Sequence, residues 1–260
     1  MSGDLGIDPI FSHPRLAAIY DVVDGERDDL VHYLSWLDEV GATSVLDVGC
    51  GTGTLACALA LRGTEITAVD PAVASLEIAQ TKAGAEQVRW VNGDATTLPK
   101  LCVDAAVMTG NVAQVFLDDT DWLATLSGIR AALRPDGHLI FETRDPMARG
   151  WTEWTAEHTR RLVATGDGGV VETWTELLDV ALPLVTFRHT YCFSPGGTTL
   201  TSDSTLRFRE RDELVESLGV SGFAVVDVRD APDRPGKEFV FVARSVDHHG
   251  RPDHHREEHP

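Results

Sequence analysis

The sequence has few basic residues, few cysteines and no long apolar run, and each shortage excludes a class of protein. Lysine and arginine number 22 against 41 aspartates and glutamates, a formal net charge of −19, which would repel a nucleic-acid backbone. The four cysteines, Cys50, Cys57, Cys102 and Cys192, form no C-x-x-C pair, so neither a disulfide framework nor a zinc site is indicated. No apolar run approaches membrane-spanning length.

The amino terminus lacks the basic and apolar regions of a signal peptide. We therefore expect a cytoplasmic protein that binds no metal, membrane or nucleic acid. A chain of 260 residues with 43% hydrophobic residues suits one domain with a sizeable core and an insertion. Residues 245–260 hold five of the ten histidines, and we expect this tail to be disordered rather than to bind metal.

The most informative stretch is residues 45–55, VLDVGCGTGTL. Apolar residues that suit a buried parallel strand lead into three glycines at alternate positions and then into an alanine-rich helix. The glycines are Gly49, Gly51 and Gly53. A dinucleotide-binding G-x-G-x-x-G pattern would need its third glycine at position 54, which is Thr54. Asp47 has no evident use beside a pyrophosphate, whereas it suits a ligand that carries an ammonium and a sulfonium.

The segment LDVGCGTG, residues 46–53, resembles the first motif of the class I S-adenosylmethionine (SAM)-dependent methyltransferases. Two further acids follow in the register of that family. Asp70 ends the strand EITAVD, 19 residues beyond Gly51, and would accept hydrogen bonds from a ribose diol. Asp94 lies in the turn after strand VRWVN and resembles the acid that accepts from the adenine amino group. The resemblance covers the chain from about residue 11 to residue 244.

The resemblance implies that SAM is the cofactor and S-adenosylhomocysteine (SAH) its product. In that family a Tyr-Asp pair, here Tyr20 and Asp21, often helps to close the cofactor pocket. The predicted cofactor-binding residues are Tyr20, Asp47, Gly49, Cys50, Gly51, Gly53, Asp70, Pro71, Asp94, Ala95, Thr109, Gly110 and Asn111.

Strands and helices alternate strictly from residue 26 to residue 144, which predicts a doubly wound α/β fold with right-handed crossovers. The resemblance adds a Rossmann-like, seven-stranded sheet whose last strand runs antiparallel. Helices are predicted at residues 26–40, 55–61, 71–83, 121–133 and 209–219. Strands are predicted at residues 45–48, 65–70, 88–92, 103–108, 138–143, 223–228 and 238–243.

The alternation stops after Thr143. Residues 145–209 contain three tryptophans, alternating apolar and polar stretches and the turn Ser194-Pro195-Gly196-Gly197, which predict about four antiparallel strands. Two interpretations stay open: a lid over the acceptor pocket, as in the resembling family, or an extension that widens the core or makes a homodimer contact. The predicted domains are an N-terminal flap (1–25), a SAM-binding domain (26–144 and 210–244), a lid (145–209) and the tail (245–260).

The resemblance implies methyl transfer from SAM to a small-molecule N or O acceptor by in-line displacement, for which near-attack geometry suffices. The loop after residue 108 lacks the D/N-P-P-Y/F motif of base-amino methyltransferases, which also disfavours a nucleic-acid substrate. No catalytic residue stands out. Asn111 and Arg144 are candidates for orienting the acceptor, and Glu142, His189 and Tyr191 for removing a proton.

Two alternatives to the methyltransferase stay open at this point. One is a nicotinamide-dependent oxidoreductase, which Thr54 and Asp47 disfavour. The other is a SAM-binding protein without catalysis that acts as a regulator or partner subunit, because an intact glycine turn argues only for cofactor binding.

The substitutions Asp70→Ala and Gly51→Val are each expected to weaken SAM binding in a calorimetric titration. The first removes the ribose acceptor, and the second fills the space where the ligand approaches the backbone. Parallel titrations with SAH and NADH separate the methyltransferase from the oxidoreductase. Unchanged SAM affinity in both folded variants would show that the site is elsewhere.

Overall fold

A computed structural model describes residues 6–25, 27–166 and 168–246. The predicted disordered tail lies, from residue 247 onward, outside the described residues. Within the described part, the strands form one seven-stranded and one four-stranded sheet.

The strands are β1 (Ser44–Val48), β2 (Glu65–Asp70), β3 (Val88–Asn92), β4 (Val103–Met108), β5 (Leu133–Arg144), β6 (Arg161–Ala164), β7 (Val170–Ala181), β8 (Leu184–Ser194), β9 (Thr199–Arg207), β10 (Phe223–Asp230) and β11 (Glu238–Ser245). The helices are α1 (Pro9–Ser12), α2 (Pro14–Ala17), α3 (Tyr20–Asp24), α4 (Asp29–Glu39), α5 (Thr54–Leu61), α6 (Val73–Ala79), α7 (Asp119–Ala132), α8 (Ala156–Thr159) and α9 (Arg211–Val220).

The larger sheet has the strand order β10-β11-β5-β4-β1-β2-β3. Strands β1 to β5 pair in parallel, and β11 runs antiparallel to both β5 and β10. The doubly wound sheet with an antiparallel last strand is therefore confirmed. The strand order reverses between β1 and β4, and ligands of such folds bind outside the carboxyl ends of the strands at that point.

Helices cover both faces of this sheet. Val107 belongs to the apolar cluster that contains Leu59 of α5, and the next residue, Met108, to the cluster that contains Trp122 of α7. Because both faces are buried, the strands read as nearly continuous apolar runs. Charged side chains can then reach solvent or a ligand mainly at the strand ends.

The four-stranded sheet has the order β6-β7-β8-β9 and is antiparallel throughout, which confirms the predicted antiparallel insertion. The N-terminal helices pack against it, since Ile10 and Leu16 form an apolar cluster with Val171 and Phe193. The Ile10 N–H also donates to the Ser202 hydroxyl at 3.0 Å. That this sheet closes over an acceptor stays a prediction.

Several predicted boundaries differ from the structure by a few residues, and contacts explain two of these differences. Helix α6 begins at Val73 rather than Pro71, because the Asp70 carboxylate accepts the Ala72 N–H at 2.8 Å and holds Pro71 and Ala72 outside the helix. Strand β5 begins at Leu133 rather than His138, because Leu133 already pairs with Val103 of β4, and a register shift accommodates residues 134–137, which the sequence analysis left between a helix and a strand.

The described chain contains no helix of the length and apolar character that crossing a membrane requires.

The glycines Gly128 and Gly219 offer a matched test of packing. A Cβ at Gly128 in α7 would collide with the Ala95 carbonyl oxygen, whereas a Cβ at Gly219 in α9 would meet nothing within 4 Å. Gly128→Ala is expected to lower the free energy of unfolding by about 1–3 kcal/mol through overpacking. Gly219→Ala is expected to raise it by up to about 1 kcal/mol, because alanine favours helix. Urea denaturation measures both, and equal effects would contradict this packing.

Candidate cofactor and acceptor site

The turn between β1 and α5 contains three glycines with a left-handed backbone, at alternate positions. Gly49, Gly51 and Gly53 have φ angles of 72°, 52° and 73°, which favour glycine. The Gly51 N–H donates to Asp70 Oδ2 at 2.8 Å, and Asp70 Oδ1 accepts the Ala72 N–H. A carboxylate at the end of β2 therefore fixes the turn that follows β1.

The three glycines serve different purposes. A Cβ at Gly49 would lie 2.6 Å from Val112 Cγ2, and one at Gly53 would lie 2.5 Å from Trp90 Cη2. A Cβ at Gly51 would meet no atom within 4 Å. Gly49 and Gly53 are thus required by internal packing, whereas Gly51 faces open space in which a ligand can approach the backbone.

Asp47 lies in β1, two residues before this turn, and is 1% exposed. Burial raises the pKa of Asp47 to about 7. The positive charge of Arg27 lowers this pKa, and the negative charge of Asp70 raises it further. Within the described chain its Oδ1 has no hydrogen-bond partner. An unpaired buried carboxylate oxygen is costly, so a cationic ligand group would both favour the charged form of Asp47 and supply the missing hydrogen-bond donor.

The N-terminal segment is tied to the glycine turn by Asp21. The Thr52 hydroxyl donates to Asp21 Oδ1 at 2.5 Å, and Lys82 Nζ lies 2.6 Å from Asp21 Oδ2. Lys82 also donates to the Thr54 hydroxyl at 2.8 Å. Tyr20 and Asp21 both line a groove of about 430 Å³ beside the turn. The sequence prediction included the Tyr-Asp pair but missed Lys82.

A second part of the site is the loop Thr109–Asn111 at the end of β4. Its Gly110 and Asn111 N–H groups donate to Glu142 Oε1 at 2.6 and 3.2 Å. Asn111 has a φ of 62°, and its Nδ2 donates to Glu238 Oε1 at 3.3 Å. Asn111 Oδ1 is buried without a partner among the described residues, so the loop presents an unused hydrogen-bond acceptor.

Two guanidinium groups share the Glu238 carboxylate. Arg234 Nη1 donates to Glu238 Oε1 at 2.8 Å, and Arg144 Nε lies 3.6 Å from the same oxygen. Arg144 Nη1 also donates to Gln114 Oε1 at 2.9 Å. The predicted residues Asn111, Glu142 and Arg144 therefore come together, around a Glu238 that the sequence analysis missed.

His189 and Tyr191 share one face of β8, in a row of rings with Phe187. The ring centroids of Phe187 and His189 are 5.1 Å apart, and those of His189 and Tyr191 are 6.1 Å apart. His189 Nδ1 lies 2.8 Å from the Thr175 hydroxyl. Burial, with Arg161 and Arg144, lowers the pKa of His189 to about 4. Its imidazole is therefore neutral near pH 7, and the lowered pKa makes it a weak base with a ring nitrogen that can accept a hydrogen bond.

The remaining predicted residues differ in exposure and in their contacts. Asp94 is exposed, and its Oδ1 accepts the N–H and hydroxyl of Thr96 at 2.8 and 2.6 Å. Ala95 is buried, Pro71 is exposed, and burial raises the pKa of the Cys50 thiol. Across the described ranges, no group of three or more His, Cys, Asp or Glu side chains is arranged to hold a metal ion.

Asp47→Asn is expected to flatten the dependence of stability on pH. The pKa of Asp47 is raised above its unfolded value, so its stabilising contribution is complete below about pH 4 and is lost as the pH rises through about 7. The free energy of unfolding of the variant minus that of wild type should therefore rise by roughly 2–4 kcal/mol from about pH 5 to pH 8. Urea denaturation at the two pH values measures this gain. A difference that does not change with pH would contradict the buried state of Asp47.

Comparisons with known proteins agree with this geometry. A family profile described as "Methyltransferase domain" matches residues 45–137. A solved structure of SAM-bound CalS10, an amino pentose methyltransferase from Micromonospora echinaspora involved in calicheamicin biosynthesis, matches with a TM-score of 0.68 at 19% identity. The match covers 86% of this chain and 94% of that chain, which shows a shared fold.

Two curated relatives give the similarity in sequence. An uncharacterized methyltransferase of Mycobacterium bovis is 38% identical over 118 residues, which are 44% of this chain and 58% of that relative. The chain spans 58% of the length of this relative, which is less than two thirds. A putative methyltransferase of Geobacillus sp. (strain WCH70) is 37% identical over 218 residues, which are 78% of this chain and 85% of that relative. With this extended match and the predicted sheet and glycine turn in place, the chain belongs to the class I SAM-dependent methyltransferases, a family of EC 2.1.1 enzymes whose cofactor is SAM.

Proposed function

We propose that the protein transfers the methyl group of SAM to an amine or a hydroxyl of a small molecule. The observation that carries this proposal is the buried Asp47, whose Oδ1 lacks a donor in the described chain, beneath a turn whose Gly51 faces open space. The ammonium and sulfonium of SAM bring positive charge to this carboxylate. A pyrophosphate would instead bring negative charge close to Asp47, which disfavours a nicotinamide dinucleotide, whereas Asp70 suits the ribose of either cofactor.

The residues of the turn fit the remaining parts of the cofactor. Each Asp70 oxygen accepts one backbone N–H and keeps a lone pair for a ribose hydroxyl. Asp94 follows β3, next to β2 in the sheet, where it would accept from the adenine amino group. Tyr20 and the loop Thr109–Asn111 would border the methionine portion. Bound SAM supplies a methyl group that its sulfonium makes electrophilic, and the protein aligns the acceptor with it.

A small acceptor is supported by contacts of the four-stranded sheet near the strand ends. The four-stranded sheet packs against α1 and α2, and the charges of Arg161 and Arg144 both act on His189, so this sheet and the end of β5 border one region. The shared fold with an amino pentose methyltransferase supports an acceptor of that size. In this proposal the sheet acts as the lid, while homodimer formation and a cytoplasmic location stay predictions.

His189 and Asn111 each offer an acceptor atom to the amine or hydroxyl that would be methylated. An amine or hydroxyl must lose a proton as the methyl group is transferred, and a neutral His189 can receive it. The unpaired Asn111 Oδ1 can accept a hydrogen bond from an acceptor N–H or O–H and so orient its lone pair. Arg144 lies next to Asn111 through Glu238 and can orient an electronegative substituent.

An assay of SAH release over a panel of amino sugars, other small amines and phenols tests this proposal. The wild-type protein is expected to turn over at least one of these classes. His189→Ala should then lower kcat by about tenfold to a hundredfold, at or below the lower end of what a positioned proton acceptor contributes, because the lowered pKa of His189 makes it a weak base. The affinity for SAH, measured by calorimetry, should not change.

His158→Ala, at an exposed histidine of α8, is the matched control and should keep full activity. SAH binding without turnover of any acceptor would favour the regulatory alternative. Binding of NADH but not of SAM or SAH would overturn the proposal.

A further inference from the structure

Two buried carboxylates from neighbouring strands converge on the loop that follows β4. Glu142 of β5 is 4% exposed and Glu238 of β11 is 3% exposed. Glu142 accepts the backbone N–H groups of Gly110 and Asn111, and Glu238 accepts the side-chain amide of Asn111. Neither carboxylate belongs to the glycine turn, and β5 and β11 pair directly beside them.

We propose that Glu142 and Glu238 are positioning residues that hold Gly110 and Asn111 in the conformation in which the loop receives SAM and the acceptor. This inference rests on the proposed function and deepens it. It assigns Glu142 to holding the loop, whereas the sequence analysis named Glu142 as a candidate for removing a proton.

The conformation of Asn111 is one that needs such support. Its φ of 62° is uncommon for a residue other than glycine and persists where the surroundings impose it. Glu142 Oε1 lies 2.6 Å from the Gly110 nitrogen and 3.2 Å from the Asn111 nitrogen. One carboxylate oxygen therefore restrains two consecutive peptide groups.

Glu238 sets which way the Asn111 amide faces. A carboxylate only accepts hydrogen bonds, so the NH₂ group of the amide must face Glu238 and the amide oxygen must face away from it. That oxygen has no partner within the described chain. Arg234 and Arg144 pair with Glu238 and balance its charge. The group offered to a ligand is therefore the Asn111 amide oxygen, a neutral acceptor that is held in one direction.

The surroundings of Glu142 suit a restraint better than a base. Its Oε1 already accepts two donors, and nearly all of the side chain is enclosed. Burial, Glu238 and Asp29 raise its pKa to about 7, while the Gly110 N–H and Arg27 lower it. The titratable and charged groups that act on Glu142 or are acted on by it are Asp29 and Tyr33 of α4, Arg27 before α4, Arg144 of β5, Glu238 of β11 and Arg234 before β11.

The test compares wild type with Glu142→Ala, Glu142→Gln and the control Glu77→Gln, whose residue is exposed on α6. The amide ¹H–¹⁵N resonances of Gly110 and Asn111 report on the hydrogen bonds in the ligand-free protein. Calorimetric titration with SAH measures how strongly the restrained loop contributes to the affinity for the cofactor product. Neither readout requires the methyl acceptor to be known.

In wild type, the Gly110 and Asn111 amide protons should lie downfield and shift with a midpoint near pH 7. Glu142→Ala should move them upfield and weaken SAH binding by about tenfold or more, because two charge-assisted hydrogen bonds are lost. Glu142→Gln keeps an oxygen that can accept both N–H groups, so SAH affinity should stay within about threefold of wild type. Its amide shifts should no longer follow a midpoint near pH 7. Glu77→Gln should match wild type throughout.

Unchanged Gly110 and Asn111 resonances in Glu142→Ala would overturn the inference, as would equal losses of SAH affinity in the alanine and glutamine variants. If Glu142→Ala does not fold, the pH response of the two amides in Glu142→Gln decides, measured in an Asp47→Asn background because Asp47 also has a pKa of about 7; a midpoint near 7 that persists there contradicts the role of Glu142. Failure of the wild-type protein to bind SAH would reject the proposed function, whereas the amide resonances would still test the restraint.

Discussion

The hydrogen bond from the Gly51 N–H to the Asp70 carboxylate is the contact on which the site depends. It links the turn after β1 to the end of β2. In this turn Gly49, Gly51 and Gly53 all have a left-handed backbone. With the turn fixed in this way, Gly51 faces open space and Asp47 lies enclosed beneath it. Asp21 then ties the N-terminal segment to the same turn through Thr52.

Buried acids dominate the carboxyl edge of the sheet. Burial raises the pKa values of Asp47, Asp70 and Glu142, which means that the ligand-free protein holds these groups in surroundings that disfavour their charge. Positive charge from a ligand would relieve this penalty at Asp47. Glu142 and Glu238 accept hydrogen bonds from protein donors instead. The same edge of the sheet therefore carries Asp47, which suits a ligand, beside two carboxylates that restrain the loop after β4.

The sequence predicted most of the fold because its signals are local. The bounds of β2, β3 and β4 were predicted to the residue, since short apolar runs between turn residues identify buried parallel strands. The start of β5 was missed because residues 134–137 read as a turn, whereas the structure continues the strand through a register shift. The start of α6 was missed because the hydrogen bond of the Asp70 side chain to Ala72 outweighs the preference of proline for a first helical position.

The residues of the site were likewise predicted where they are close in sequence and missed where they are far apart. Asp47, Asp70 and the glycines were found from their spacing within one short stretch. Glu238 and Arg234 were not, because pairing between β5 and β11 brings them to Arg144 and Asn111 across a long separation in sequence. The available signal was a charged residue at the first position of an otherwise apolar strand, EFVFVA, where burial requires partners.

The most direct test of the account is the number of protons released when SAM binds, obtained by calorimetry in buffers of different ionisation enthalpy. At about pH 6 the ammonium of SAM is already protonated, and the raised pKa of Asp47 keeps its carboxyl largely protonated in the free protein. Binding of the cation beside Asp47 should then release about one proton, and Asp47→Asn should abolish that release. Binding of SAM with no proton release, or with a release that persists in the variant, would contradict the assignment of Asp47 to the cationic part of the cofactor.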